Sequence, residues 1–85
     1  MKILYSSRFA KEYKKLPNSI KDVAEKKEEI FRSRPFDPRL KTHKLKGKLT
    51  DFYSFSISLR WRIVFHFEDE STVVFDNVGT HEVYK

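Results

Sequence analysis

The chain has 85 residues and a formal net charge of +6, and a chain this short forms one domain at most. It contains no cysteine, which excludes disulfides, cysteine-ligated metals and thiol nucleophiles and suits a cytoplasmic protein. Its apolar runs are far shorter than the roughly 20 residues that a membrane helix needs. We therefore expect a single domain over residues 1–85, with no membrane span.

The positive charge is concentrated in one part of the chain. From Arg32 to Lys48 there are seven basic residues and one acid, whereas the rest of the chain carries eleven of each sign. We call residues 32–48 the basic segment. A run of charge is often only a solvated surface, but this imbalance favours a polyanionic or acidic partner.

The chain begins with the pattern of a short strand followed by a helix. Residues Lys2 to Tyr5 predict the strand, and Ser6-Ser7 offers a hydroxyl that can cap the helix. Apolar residues then recur at helical spacing up to Pro17, namely Phe9, Tyr13 and Leu16.

A second helix is predicted from the continued helical period after Pro17. Asn18 or Ser19 can cap it, and it ends near Ser33 because a residue that precedes proline avoids the α region. The basic segment that follows has no clear period. It predicts a surface loop with one helical turn near Pro38–Lys41.

The second half of the chain alternates with the period of strands. Tyr53 to Ile57 predicts one strand and Trp61 to Phe67 the next, joined by a hairpin near Leu59. Directly opposed residues of an antiparallel pair share a face, so a common apolar face requires a loop with an odd number of residues. Ile57 opposite Trp61 fits this requirement and places Ser56 opposite Arg62.

The last predicted strand, Thr72 to Val78, is apolar on both faces in its middle and therefore belongs in the sheet interior. The element order is β-α-α-β-β-β. We expect an α+β fold in which a two-helix hairpin packs on one face of a mostly antiparallel four-stranded sheet.

This topology brings Arg62, at the start of the third strand, close to His81, at the end of the fourth, with Tyr84 one step further along. A guanidinium matches phosphate oxygens, and an imidazole transfers protons near neutral pH. In RNA the 2′-hydroxyl is an internal nucleophile, so these groups suit a metal-independent cleavage of a phosphodiester without a cofactor.

The same residues have structural interpretations as well. His81 can be an ordinary surface residue, and Arg62 can form an ion pair with Asp76 or Glu82. Trp61 is more typical of a core residue than of a base-stacking platform. The three histidines lack the spacing of metal ligands, so no metal site is expected.

Four short motifs, in this order and spacing, resemble the RelE/YafQ superfamily of toxins from bacterial type II toxin–antitoxin systems. They are Phe36-Asp37-Pro38, His43-Lys44-Leu45-Lys46-Gly47, Trp61-Arg62-Ile63-Val64-Phe65 and Val78-Gly79-Thr80-His81. The resemblance covers essentially the whole chain, and the predicted element order is that of the family. It implies a ribosome-dependent endoribonuclease, a hydrolase that cleaves translated mRNA in the cytoplasm and is restrained by a cognate antitoxin.

The resemblance also implies roles for individual residues. Arg62 matches the arginine that stabilises the scissile phosphate, His81 matches a catalytic histidine, and Tyr84 resembles a catalytic C-terminal tyrosine. The residues expected to contact RNA are His43, Lys44, Lys46, Lys48 and Arg60.

The chain departs from the residue pattern of the family at three positions. Active relatives carry lysines or a histidine on the second strand, where this chain has Ser54 and Ser56. YafQ-like members carry an acid before the tryptophan, where this chain has Arg60. Two alternatives therefore stay open: a ParE-like inhibitor of DNA gyrase, and a weakly active or non-catalytic basic module that binds RNA or protein.

Overall fold

The computed structural model describes residues 1–47 and 51–80. Its described elements are two α-helices, one short 3-10 helix and a five-stranded sheet. Their bounds in chain order are β1 Lys2–Tyr5, α1 Ser7–Lys14, α2 Asn18–Ser33, the 3-10 helix Pro38–Leu40, β2 His43–Lys44, β3 Tyr53–Ser56, β4 Trp61–Phe67 and β5 Thr72–Thr80. Within the described ranges, no helix has both the length and the apolarity needed to cross a membrane.

The strands are ordered β1-β5-β4-β3-β2 across the sheet. β1 pairs with β5 in parallel, and the other pairs are antiparallel. The predicted α+β class and the interior position of the last strand are therefore confirmed. The prediction of four strands missed β2, whose two residues are too short to show an alternating pattern.

The serine predicted to cap the first helix does so. The Ser6 hydroxyl accepts the Phe9 amide at 2.9 Å and donates to the carbonyl of Asp76 at 2.9 Å, which ties the start of α1 to β5. The caps predicted for α2 are wrong. The helix starts directly after Pro17, whose carbonyl accepts the amides of Ile20 and Lys21, so the two candidate caps lie inside the first turn.

The two helices cover one face of the sheet with their apolar stripes. Phe31 of α2 lies at the centre, fully buried, with its ring centroid 4.9 Å from those of Phe55 and Phe65 and 5.3 Å from that of Phe75. Trp61 packs against this core, which favours the structural interpretation of that residue. We call this side of the sheet the helix face and the opposite side the outer face.

The β3–β4 hairpin has the predicted register. Ser56 lies opposite Arg62 and Phe55 opposite Ile63, so the apolar residues of both strands share the helix face. The β4–β5 pair contains an irregularity that the sequence did not predict. Its register shifts between Val64 and Phe65, which leaves Asp76 as an extra residue on β5.

Candidate functional site

Residues from β2 to β5 form rows across the outer face. The strand register defines two rows, with Ser56, Arg62 and Gly79 in the first and His43, Ser54, Val64 and Asn77 in the second. Neighbouring rows lie about 6.6 Å apart, the rise of two strand residues. The sequence-predicted residues His43 and Arg62 therefore occupy adjacent rows on one face, with Cα atoms about 12 Å apart.

The guanidinium of Arg62 is oriented by backbone oxygens. Its Nη1 donates to the carbonyl of Ser58 at 2.8 Å and to that of Trp61 at 3.4 Å. The ion pair with Asp76 that the sequence allowed does not form, because that carboxylate binds His66. The other acid that the sequence allowed, Glu82, lies outside the described residues. Among the residues that the structure describes, no carboxylate lies within 4.0 Å of Arg62, so none of them neutralises its charge.

The ring of His43 is oriented by the backbone beside it. Its Nδ1 lies 3.1 Å from the carbonyl oxygen of Lys41. A carbonyl oxygen only accepts, so Nδ1 carries the proton and the neutral ring has its lone pair on Nε2. The side chain is exposed. His43 is thus arranged as a proton acceptor, a role that goes beyond the RNA contact implied by the resemblance.

The two serines that replace basic residues of the family lie between His43 and Arg62. Ser54 is fully buried, and its hydroxyl has no hydrogen-bond partner among the described residues. Ser54 therefore offers no accessible hydroxyl to a bound substrate. Ser56 is half-buried and lies directly opposite Arg62 in the strand register.

A histidine cluster that the sequence did not predict lies in the next row of the outer face. His66 bonds through Nδ1 to Asp76 at 2.8 Å and through Nε2 to Glu68 at 3.0 Å, and its ring meets that of Phe52 edge-on at 5.4 Å. Burial opposes the charged imidazolium, but the two carboxylates outweigh it and raise the pKa of His66. His66 follows Arg62 by four residues on β4, so their Cα atoms lie about 13 Å apart.

Three of the residues named from the sequence, Lys48, His81 and Tyr84, lie outside the described residues. The described part of β5 ends at Thr80, which pairs with Trp61, and Gly79 pairs with Arg62. The predicted meeting of the start of β4 with the end of β5 is thereby confirmed up to Thr80.

Two arginines of the basic segment are held by carboxylates, whereas its other described cations are not. Asp37 accepts the amide of Arg39 at 2.9 Å and holds its guanidinium through both carboxylate oxygens, and these bonds keep the pKa of Asp37 well below its ordinary value. Arg32 pairs with Glu28. Within the described ranges, four cations of the segment form no ion pair, namely Arg34, Lys41, Lys44 and Lys46. The turn predicted near Pro38–Lys41 is present as the 3-10 helix.

A groove of about 440 Å³ lies between the two helices, away from the outer face. Its floor is aromatic, formed by Tyr5, Phe9 and Tyr13, whose rings stack in sequence at 5.6 and 5.7 Å. Burial and the neighbouring Glu28 raise the pKa of Tyr5 to about 12. This groove contains none of the catalytic or RNA-binding residues predicted from the sequence.

Solved structures share this fold over nearly their whole length. YafQ from E. coli strain BL21(DE3) matches with a TM-score of 0.78 at 17% identity, covering 93% of this chain and 91% of that one. A YoeB/ParE toxin from Agrobacterium tumefaciens matches with a TM-score of 0.80 at 16% identity, covering 95% and 99%. The RelBE2 toxin–antitoxin complex of Mycobacterium tuberculosis contains a chain that matches with a TM-score of 0.76 at 22% identity, covering 94% and 96%.

At these identities the structural matches establish the fold. No curated protein sequence matches the chain significantly. The family model of YafQ, a bacterial toxin of type II toxin–antitoxin systems, matches residues 1–84, which confirms the resemblance drawn from the four motifs. The chain therefore belongs to the YafQ family of bacterial type II toxins.

Proposed function

We propose that the chain is a ribosome-dependent endoribonuclease that cleaves translated mRNA without a metal ion. One observation carries the proposal: Arg62 and His43 share the outer face of the sheet. Among the described residues, the guanidinium of Arg62 has no carboxylate partner, and the backbone bond to Nδ1 of His43 leaves Nε2 as a proton acceptor. Phosphoryl chemistry on RNA needs a charge stabiliser and a base of this kind.

In this mechanism the attacking group is the 2′-hydroxyl that neighbours the scissile phosphate. Nε2 of His43 accepts its proton while the 2′-oxygen bonds to phosphorus. Arg62 stabilises the negative charge of the phosphorane oxygens, and Ser56 lies opposite Arg62 in the strand register. The bond from phosphorus to the 5′-oxygen then breaks, which leaves a 2′,3′-cyclic phosphate and a 5′-hydroxyl.

The leaving 5′-oxygen needs a proton, and we assign its delivery to His81, with Tyr84 as a further polar group near it. Both assignments rest on the resemblance of Val78-Gly79-Thr80-His81 and of Tyr84 to the family. Thr80, the last described residue before His81, pairs with Trp61 at the start of β4. Arg60, exposed at the hairpin, together with Lys44, Lys46 and Lys48, supplies positive charge for RNA of the message or the ribosome.

The proposed regulator is a cognate antitoxin. The matching chain from M. tuberculosis comes from a toxin–antitoxin complex, which supports an assembly of the same kind here. The unpaired cations of the basic segment complement an acidic partner segment electrostatically. Such a segment would compete with RNA for the same charges.

The test uses purified protein, ribosomes and a defined mRNA, with cleavage mapped by primer extension. Cleavage that requires translation and that Arg62→Ala abolishes supports the proposal. A supercoiling assay with DNA gyrase runs in parallel, since ParE-like toxins share this fold. Inhibition of gyrase without cleavage of translated mRNA contradicts the proposal and selects the alternative.

A further inference from the structure

An exposed aromatic side chain stands at the edge of the basic segment. Phe36 is 56% exposed, although it contacts two other rings. Its ring stacks on that of Phe67 at a centroid distance of 6.4 Å and an angle of 19°, and it meets the ring of Tyr53 edge-on at 5.8 Å. A large apolar side chain with this much exposure presents surface that the fold itself does not use.

The backbone on both sides of Phe36 is fixed. The Asp37 amide donates to the carbonyl of Arg34 at 3.0 Å, which closes a turn around Phe36. The Thr42 hydroxyl donates to the carbonyl of Pro35 at 2.6 Å, and Asp37 is clamped to Arg39. A ring that is held in place before binding loses little conformational entropy when a partner stacks on it.

Two cations neighbour this ring in the chain and in the strand register. Arg34 opens the turn two residues before Phe36, and Lys44 pairs with Tyr53 across β2 and β3, so Lys44 and Tyr53 share the helix face. Neither cation has an ion-pair partner in the described ranges. In the acidic turn after Phe67, Glu68 binds His66 on the outer face.

We propose that Phe36, with Arg34 and Lys44, forms a stacking platform for an unpaired RNA base, separate from the cleavage site. A base stacks on the exposed ring, and its phosphates lie towards the two cations, away from the acidic turn. Stacking on an aromatic ring beside cations is how proteins bind unpaired nucleotides, whereas an acidic peptide would leave the ring without a function. The choice of RNA as partner rests on the proposed function.

The platform and the cleavage site lie on different faces of the sheet. Phe36 contacts Tyr53 and Phe67, which belong to the helix face, whereas Arg62 and His43 lie on the outer face. One RNA base on the platform and a scissile phosphate at Arg62 would therefore lie on opposite faces of the sheet. The platform suits structured RNA that surrounds the toxin, with the mRNA bound on the outer face.

The test compares Phe36→Leu and Phe36→Trp with the parent protein. Leucine keeps an apolar side chain against Tyr53 and Phe67 but has no aromatic face. The probes are a short fluorescent oligoadenylate and purified ribosomes, and thermal unfolding confirms that each variant folds. We expect Phe36→Leu to weaken oligoadenylate and ribosome binding about tenfold, and Phe36→Trp to retain it. Leu59→Ala, which alters an exposed apolar residue on the hairpin, is the matched control and should change neither affinity.

These measurements distinguish the RNA-binding platform from the proposed cleavage function. Equal RNA affinity of Phe36→Leu and the parent overturns the platform, as does a loss of antitoxin affinity with RNA affinity intact, which would make the ring a protein contact. Arg62→Ala tests the cleavage site separately, by its failure to cleave mRNA. If the parent protein does not cleave translated mRNA while Phe36→Leu still loses RNA affinity, the proposed function fails and the platform stands.

Discussion

The Nδ1 atom of His43 lies 3.1 Å from the carbonyl oxygen of Lys41, so the backbone fixes which nitrogen of the ring carries the proton. Lys41 itself has a left-handed backbone, with a φ of 53°, directly after the 3-10 helix. This conformation costs a non-glycine residue about 1–2 kcal/mol. The strain is localised at the residue whose carbonyl orients the proposed base.

Replacing His43 with glutamine should lower the cleavage rate by about 10²- to 10⁴-fold, because the 2′-hydroxyl loses its proton acceptor. Single-turnover cleavage of the same mRNA measures the effect. Lys41→Gly, which keeps the orienting carbonyl and relieves the backbone, is the control and should cleave near the rate of the parent. Cleavage by His43→Gln at the rate of the parent would contradict the assignment of His43 as the proton acceptor.

The His66 cluster should make the stability of the fold depend on pH. The folded state raises the pKa of His66, so the protonated ring stabilises the fold below its ordinary pKa, and this contribution is lost as pH rises through the raised value. Glu68 is 54% exposed, so solvent weakens its share of the effect. Urea unfolding between about pH 5.5 and 8.5 should therefore show a steeper decline for the parent than for His66→Gln. Parallel curves for the two proteins would contradict this account of the cluster.

The cations of the basic segment should differ in their contribution to RNA binding. Lys44 and Lys46 form no ion pair among the described residues, whereas the guanidinium of Arg39 is held by both oxygens of Asp37. Changing both lysines to glutamine should reduce the magnitude of the slope of log affinity against log salt by about 0.7–0.9 for each phosphate that the variant no longer neutralises. Arg39→Gln should change the slope little and lower the unfolding temperature instead. A slope reduced equally by Arg39→Gln would show that the clamp opens for RNA.

The core should depend on Phe31 more than on any exposed apolar residue. Truncating this fully buried ring to alanine leaves a cavity among Phe55, Phe65 and Phe75 and should cost about 3–5 kcal/mol of unfolding free energy. Leu59, which is 89% exposed, is the control, and Leu59→Ala should stay within about 0.5 kcal/mol of the parent. Urea denaturation measures both, and similar losses would contradict the packing described here.

The sequence predicts the features that depend on periodicity. The alternation around Ser56 and Arg62 fixes the parity of the hairpin, because one shared apolar face excludes every register shifted by one residue. The structure has the register that was predicted with this parity. The helical stripe that contains Phe31 likewise identifies the face that is buried. These two patterns are sufficient to place Arg62 on the outer face.

The features that the sequence does not predict depend on single residues that break the period. Asp76 is an extra residue on β5 and shifts the register of the β4–β5 pair. Its carboxylate binds His66, a partner that the alternation of the sequence does not predict. The strand His43–Lys44 is too short for any pattern, yet it sets the row in which His43 lies. The tautomer of His43 follows from the backbone of Lys41, which no residue type indicates.

The most direct test of the central claim compares Arg62→Ala and Arg62→Lys with the parent on ribosomes that translate a defined mRNA. Removing the guanidinium should reduce cleavage about 10²- to 10³-fold, while ribosome binding persists. Lysine keeps the charge but lacks the planar fork, so it should restore only part of the rate. Cleavage by Arg62→Ala at the rate of the parent would contradict the assignment of the outer face as the site of RNA cleavage.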